Sequence, residues 1–454
     1  MGVLCPGSFL STKALLRVVL AIGFLLFLGR LPGRTHSNSG QPDENLYRDL
    51  SLDIELPRGL DLPCSQLPGA DKTLVVMKTG AAELEAKLPT HFNTTFRCYP
   101  NYLVFSDYGE VFEDHVIIDA LGEVSPTIQK SNPDFALWRR LQNHGRSALT
   151  AEELSGPDAD PSDVDGRLDS AGWKLDKWKF LPMLQRSLSL YPDMEWFVFV
   201  EPDTHIFWSS TLAYLRTLNP DKPQYVGAQM QIGESVFAHG GSAFILSHTS
   251  VRAAVALFEE HKDFWESMID QHWAGDSILG DVLRKSGTEL TWAWPTFQGM
   301  KPGAIDYATV DYDKREYCYP VISSHHMSSK EIEELWLFEQ VWMARGHDFV
   351  RHRDVFHGYI MPQIRLRGDN RAHWNNLSGD FDNAMDAQGF VECRWRCRTN
   401  ATCVQYSFKD SKCAMTNVPR LGEYQRDVYS GWELGRVQQI ANDMAPCGNE
   451  GWIK

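Results

Sequence analysis

Glu201-Pro202-Asp203-Thr204 stands directly after the apolar run Trp196-Phe197-Val198-Phe199-Val200. Two carboxylates one residue apart, at a turn leaving a buried strand, present oxygen ligands to one hard divalent cation, and oxygen donors suit magnesium or manganese. A cation held there would bridge the phosphates of a nucleotide-sugar and neutralise a departing diphosphate. Such a triplet is common, and it equally caps a following helix or forms a solvated turn. Its neighbourhood carries the reading further. Phe237-Ala238-His239-Gly240-Gly241-Ser242-Ala243-Phe244-Ile245-Leu246 sets paired glycines before an apolar run, where the backbone can approach a sugar closely or simply turn. Asp276, in Gly275-Asp276-Ser277-Ile278-Leu279-Gly280, reads as a general base for an acceptor hydroxyl or as a helix N-cap. Trp292-Ala293-Trp294-Pro295-Thr296-Phe297 lines an acceptor groove or packs the core, and in Ser323-Ser324-His325-His326-Met327 a neutral histidine completes a metal shell or is structural.

These groups need a frame to hold them. Leu74 to Lys78 reads as a buried strand, with Thr79-Gly80 opening a helix over Ala81 to Leu88. Tyr102 to Phe105 is a second strand ending at Ser106-Asp107, and His115 to Ile118 a third. Residues 121–170, rich in Ser, Pro, Gly and Asp, read as an exposed insertion. Trp173 to Leu190 has helical spacing, and Trp196 to Val200 is the kind of strand found inside a two-sided sheet. Strands alternating with helices imply a mostly parallel sheet, with ligands at the carboxyl ends of its strands. Thr79, Asp107 and Glu201-Pro202-Asp203 all fall at such ends.

The chain has 454 residues, enough for two or three domains, and is 43% hydrophobic and 12% aromatic, so a large core is available. Its formal charge of −15 argues against general nucleic-acid binding, which needs a positive field. Ala14 to Leu28 is apolar apart from Arg17, and no small-x-small cleavage site follows. The segment is a cleaved signal peptide or an uncleaved anchor, and the missing cleavage site favours the anchor. Either places the remainder in the secretory pathway. Apart from Cys5, eight cysteines (64, 98, 318, 393, 397, 403, 413 and 447) form an even set that fits four disulfides in an oxidising lumen. Sequons at Asn93, Asn376 and Asn400 agree with that compartment.

The ordered set acid-x-Asp-Thr, Gly-Gly-Ser, Asp-x-x-x-Gly and Ser-x-His resembles glycosyltransferase family 31, nearest to the core 1 β1,3-galactosyltransferases and Fringe-type enzymes in a fungal-like branch, over roughly residues 70 to 345. The resemblance implies a Golgi type II membrane protein, or alternatively a secreted one. It implies an α/β body of GT-A fold, a Rossmann-like mixed sheet, at 70–350, behind a cytosolic tail (1–13), a transmembrane signal-anchor (14–31) and a stem (32–69). It further implies an inverting enzyme that uses a UDP-sugar and Mn2+, or Mg2+, to glycosylate a glycan or glycoprotein acceptor. Galactose in β1,3 linkage is the donor sugar it suggests, with N-acetylglucosamine as the Fringe-type alternative. Residue by residue, Asp203 and His325 match metal ligands and Asp276 the catalytic base. Gly240 and Gly241 match donor-site glycines, and Thr79 and Asp107 match positions near ribose and uridine. Glu201 stands where an Asp is usual, and its longer side chain reaches the metal through water or contacts ribose.

Residues 370–435 resemble a PAN/Apple domain, a small disulfide-rich α+β module, with Cys393 and Cys397 on one helical face and Val404 to Phe408 as a strand; a tail (436–454) follows. That resemblance implies the pairs Cys393–Cys413 and Cys397–Cys403, leaving Cys64–Cys98 and Cys318–Cys447, and a module that binds protein or carbohydrate or serves only as an appendage. The altered Glu201-Pro202 pair keeps a second class open: a catalytically inactive, lectin-like or adhesive secretory protein built on the same fold.

Overall fold

The computed structural model describes residues 64–154, 170–444 and 446–453, all within the compact unit that begins at Asp53. The expected cytosolic tail and anchor, and the stem up to residue 63, lie outside the described residues. Among the described residues no helix is long and apolar enough to cross a membrane.

In chain order the strands of the body are β1 (Thr73–Lys78), β2 (Tyr102–Ser106), β3 (Glu110–Phe112), β4 (His115–Asp119), β5 (Trp196–Val200), β6 (His205–Ile206), β7 (Tyr225–Gly227), β8 (Gln229–Ile232), β9 (Ser235–Ala238), β10 (Phe244–Ser247), β11 (Leu290–Trp292), the hairpin β12 (Val310–Asp311) and β13 (Lys314–Arg315), and β14 (Ser323–Ser324). Eight of them make one mixed sheet in the order β11-β7-β10-β5-β1-β2-β4-β3. Every residue of β1 and β5 is buried, as continuous apolar runs must be when both sheet faces are covered. The strand period of two divides their side chains between two cores. Leu74, Val76, Phe197 and Phe199 pack against the helices Phe180–Leu190, His248–Glu260 and Gly275–Lys285. Val75, Met77, Val198 and Val200 pack against Leu84–Asn93 and Trp208–Leu215. Each such buried side chain contributes about 1.5–3 kcal/mol.

Register fixes where the polar strand ends go. β1 runs parallel to both β2 and β5, and β2 parallel to β4, so the carboxyl ends of all four share one edge. β10 runs antiparallel between β5 and β7. Its amino end, fed by Gly240–Ala243, therefore reaches that same edge. β14 pairs antiparallel with β6, Ser324 opposite His205, which sets His325 beside the Asp203 turn.

Three elements differ from the sequence reading. The exposed insertion expected over 121–170 is, as far as it is described, packed structure. The helices Pro126–Ser131 and Ala136–His144 lie there, and Leu121, Val124, Phe135, Leu137 and Leu141 join the core; the polar residues dominated the composition while the few apolar ones anchor it. The helix of Trp173 to Leu190 is two, Ala171–Asp176 and Phe180–Leu190, separated by Lys177–Lys179. The first helix starts later than expected and runs over Leu84–Asn93 through Pro89. Within the segment read as stem, Cys64 is buried and its carbonyl accepts the Trp208 indole N–H at 3.1 Å.

The four expected cysteine pairs are the four formed: Cys64–Cys98, Cys318–Cys447, Cys393–Cys413 and Cys397–Cys403. Beyond the body, β15 (Arg371–Asn375), β16 (Met385–Asp386), β17 (Gln405–Lys409), β18 (Lys412–Thr416) and β19 (Glu423–Trp432) form an antiparallel sheet in the order β15-β19-β17-β18-β16. The helix Phe390–Thr399 carries Cys393 and Cys397. The final residues return to the body: Tyr214 donates its hydroxyl to Ile453 O at 2.8 Å, and Arg351 Nη1 donates to Glu450 O at 2.8 Å. Of the sequons, Asn93 and Asn400 are exposed. Asn376 corrects the expectation, since it is fully buried with its amide nitrogen donating to Tyr406 O and Gly431 O and its Oδ1 accepting from Ser378. A glycan cannot be carried there in this fold.

One buried carboxyl gives the body a pH-dependent stability. Glu339 on the helix Ser329–Ala344 accepts from Ser209 N at 2.8 Å and Ser209 Oγ at 2.7 Å. Burial raises its pKa from 4.5 to about 7, outweighing those bonds. The folded state therefore holds the proton more tightly than the unfolded chain, and stability present at pH 4.5 is lost as pH rises through 7. The loss is about 3 kcal/mol. We expect Glu339→Gln to flatten this slope, read as Tm of mutant and parent at pH 5 and pH 8; equal slopes would refute it.

Candidate functional site

The Glu201–Thr204 turn is held from both sides. Thr204 N donates to Glu201 O at 3.0 Å, His91 Nε2 bonds Pro202 O at 2.8 Å, and Met327 N donates to Asp203 O at 2.8 Å. Burial pushes the His91 pKa down to about 4, so it holds the turn as a neutral ring. Asp203 is 6% exposed. Its Oδ1 lies 3.3 Å from His325 Nε2, while Oδ2 lies 3.3 Å from Lys87 Nζ. Burial opposes its ionisation, but Lys87 and then His325 hold it far below the usual carboxylate range.

Ligand atoms of Asp203, His325 and His326 lie within 4.8 Å of one another. A buried carboxylate beside two imidazoles fits a divalent cation. The two imidazole nitrogens disfavour magnesium, which prefers oxygen ligands throughout. His326 is the residue that sequence reasoning passed over in choosing His325. It adopts φ +60°, a left-handed conformation that costs a non-glycine residue about 1–3 kcal/mol, and its ring lies 3.8 Å from that of His325. The adjacent His-His pair was the available signal.

Glu201 lies outside this cluster. Its Oε1 pairs with Lys78 Nζ at 2.9 Å, and Lys78 pairs with Asp176 at 2.8 Å. Burial alone would lower the Lys78 pKa, but Asp176 and Glu201 raise it overall, so the cation persists under the site. Thr79 and Asp107, expected near ribose and uridine, are turned to protein partners. Thr79 Oγ1 donates to Glu83 at 3.1 Å. Asp107, fully buried, meets Lys179 Nζ at 2.5 Å and accepts from Ala81 N at 3.1 Å. Both shape the loop after β1. The lysines Lys78, Lys87 and Lys179 were not foreseen, because each also meets a carboxylate distant in sequence: Asp176, Asp203 and Asp107 respectively.

The paired glycines are explained by close packing. A Cβ on Gly241 would lie 2.4 Å from the His325 ring, and one on Gly240 would lie 3.0 Å from Phe180. Thr204 Oγ1 donates to Gly241 O at 2.5 Å, and Ser323 Oγ to Ser242 O at 2.6 Å, tying the glycine loop to the segments that carry Asp203 and His325. Gly240 N donates to Asp276 Oδ2 at 3.0 Å, and Ser277 N to Asp276 Oδ1 at 2.9 Å. Asp276 thus sits in the first turn of Gly275–Lys285, facing the glycine loop. Its pKa rises to about 6, burial being the largest cause and outweighing the Gly240 bond and the Lys78 charge. The arrangement sets a carboxylate able to exchange protons near neutral pH beside a cluster able to bind a cation, both at one sheet edge.

No protein-family model matches the chain, and no curated protein matches it.

Proposed function

We propose that the chain is an inverting glycosyltransferase of GT-A fold, similar to family 31, that moves a sugar from a UDP-sugar to a glycan or glycoprotein acceptor in the Golgi lumen. Galactose is the favoured donor sugar, and the disulfide-stapled sheet after residue 370 is a PAN/Apple-like module. The observation that carries the reading is the gathering of Asp203, His325, His326, the glycine loop and Asp276 at the carboxyl edge of one sheet. Four disulfides support a secretory compartment.

Asp203, His325 and His326 would hold manganese, which supplies positive charge to a departing diphosphate. Asp276, ionised above about pH 6, takes the proton of an acceptor hydroxyl on its carboxylate. The acceptor oxygen forms its bond to the anomeric carbon from the face opposite UDP, the bond to the diphosphate oxygen breaks, and UDP leaves with the electron pair. One displacement inverts configuration. Lys78, kept charged by Asp176 and Glu201, braces Glu201 at the same edge without adding net positive charge.

A second reading, an inactive lectin-like protein, is supported by the two ion pairs that already neutralise the motif, Lys78–Glu201 and Lys87–Asp203. One experiment separates them: the full chain is incubated with Mn2+ and a panel of UDP-sugars, and UDP release and product mass are read. We expect one donor to turn over and chelation to suppress it. Absence of turnover with every donor, alongside retained sugar binding, would favour the lectin-like reading.

A further inference from the structure

Two tryptophans at the Asp276 end of the site have no role in the chemistry above. Trp273, 58% exposed, lies three residues before Asp276. Its ring is nearly parallel to that of Trp173, at 6.2 Å and 14°, and to that of His272, at 6.2 Å and 11°. Trp173 lies three residues before Asp176 on the helix Ala171–Asp176, so the two share a face. Asp176 is the partner of Lys78 inside the site. The two segments are locked together behind the rings: a Cβ on Gly275 would lie 2.3 Å from Lys177 O, and Lys177 Nζ donates to Asp270 O at 3.2 Å. An exposed indole stacked on a second ring, three residues from Asp276, offers a flat apolar face to a ligand.

We infer that Trp273, backed by Trp173, is the acceptor platform: the apolar face of a neutral pyranose lies on the indole while its hydroxyls turn toward Asp276. Charge selects that occupant. Lys177 is engaged by Asp134 at 2.9 Å and by the Asp270 carbonyl, so the carboxylate of Asp276 faces the ligand, accepting from hydroxyls and repelling anionic sugars. The inference rests on the glycosyltransferase reading for its meaning, yet it is testable without turnover.

The test uses the full chain with Trp273→Ala and Trp273→Phe. Saturation-transfer NMR is recorded with neutral methyl glycosides of galactose, N-acetylgalactosamine, glucose, mannose and fucose, and with a methyl sialoside for contrast. Acceptor KM, donor KM and acceptor-free UDP-sugar hydrolysis are read where turnover exists. We expect at least one neutral glycoside to bind the parent, the sialoside not to bind, and Trp273→Ala to weaken neutral binding and raise acceptor KM by roughly tenfold. Donor KM and hydrolysis stay unchanged, and Trp273→Phe restores most of the loss, which a merely structural tryptophan would not do. Equal saturation transfer in parent and Trp273→Ala, or none to any neutral glycoside, overturns the platform. Binding that depends on Trp273 without UDP release from any donor keeps the platform and overturns the transferase.

Discussion

Asp276→Asn is expected to lower turnover by on the order of 10²–10⁴, the range that removal of a general base commonly costs. Asn keeps the volume of the carboxylate but cannot take the acceptor proton. Donor binding should persist, because Gly240 and Ser277 hold this side chain from the main chain rather than through the metal-side residues. The parent should show a rate that rises with pH through about 6 and then levels, since burial raises the Asp276 pKa to that value and only the ionised form accepts the proton. The mutant should lose that limb. Asn also replaces one of two acceptors by an NH2 group, leaving one N–H facing a donor, at a cost of about 1–3 kcal/mol; a UDP titration of the mutant shows whether the fold is retained. A mutant that binds UDP and keeps parental turnover would remove Asp276 from the chemistry.

The second large effect is expected at Asp203. Asp203→Ala removes the carboxylate of the cation cluster and should reduce Mn2+-dependent UDP release by on the order of 10³ or more. It also leaves Lys87 with Glu83 alone, at 2.8 Å. Breaking a buried pair from one side destabilises by about 3–5 kcal/mol, so a fall in Tm should accompany the loss. Asp203→Asn separates the two effects. It keeps the shape and an acceptor for Lys87, and is expected to recover much of the Tm and none of the Mn2+ response. Recovery of both would mean that the carboxylate acts only as a partner for Lys87.

Much of this frame was legible in the residues. The buried runs of β1 and β5 are bounded by polar ends, and the step from strand to turn at Val200–Glu201 announces a site because a parallel sheet collects its strand ends at one edge. The glycine pair was legible as a place of close approach. What it approaches, the His325 ring, depends on the β6–β14 pairing, which joins residues more than a hundred positions apart. The lysines were hidden for the same reason: Lys179 reads as one turn of a helix until the sheet brings Asp107 against it. The region after residue 121 misled because composition averages over a segment, whereas a few apolar residues at the right spacing suffice to dock it. Asn376 shows the limit of a three-residue pattern, which states a chemistry but not a burial.

Asp203, His325 and His326 are proposed to close on one divalent cation. Mn2+ bound to the full chain, with histidine labelled by 15N, reports this directly through pulsed electron paramagnetic resonance. Nitrogen couplings from two imidazoles are expected, one of them lost in His326→Ala and stoichiometric binding lost in Asp203→Ala. Manganese held with no histidine coupling, or held equally well by Asp203→Ala, would contradict the account.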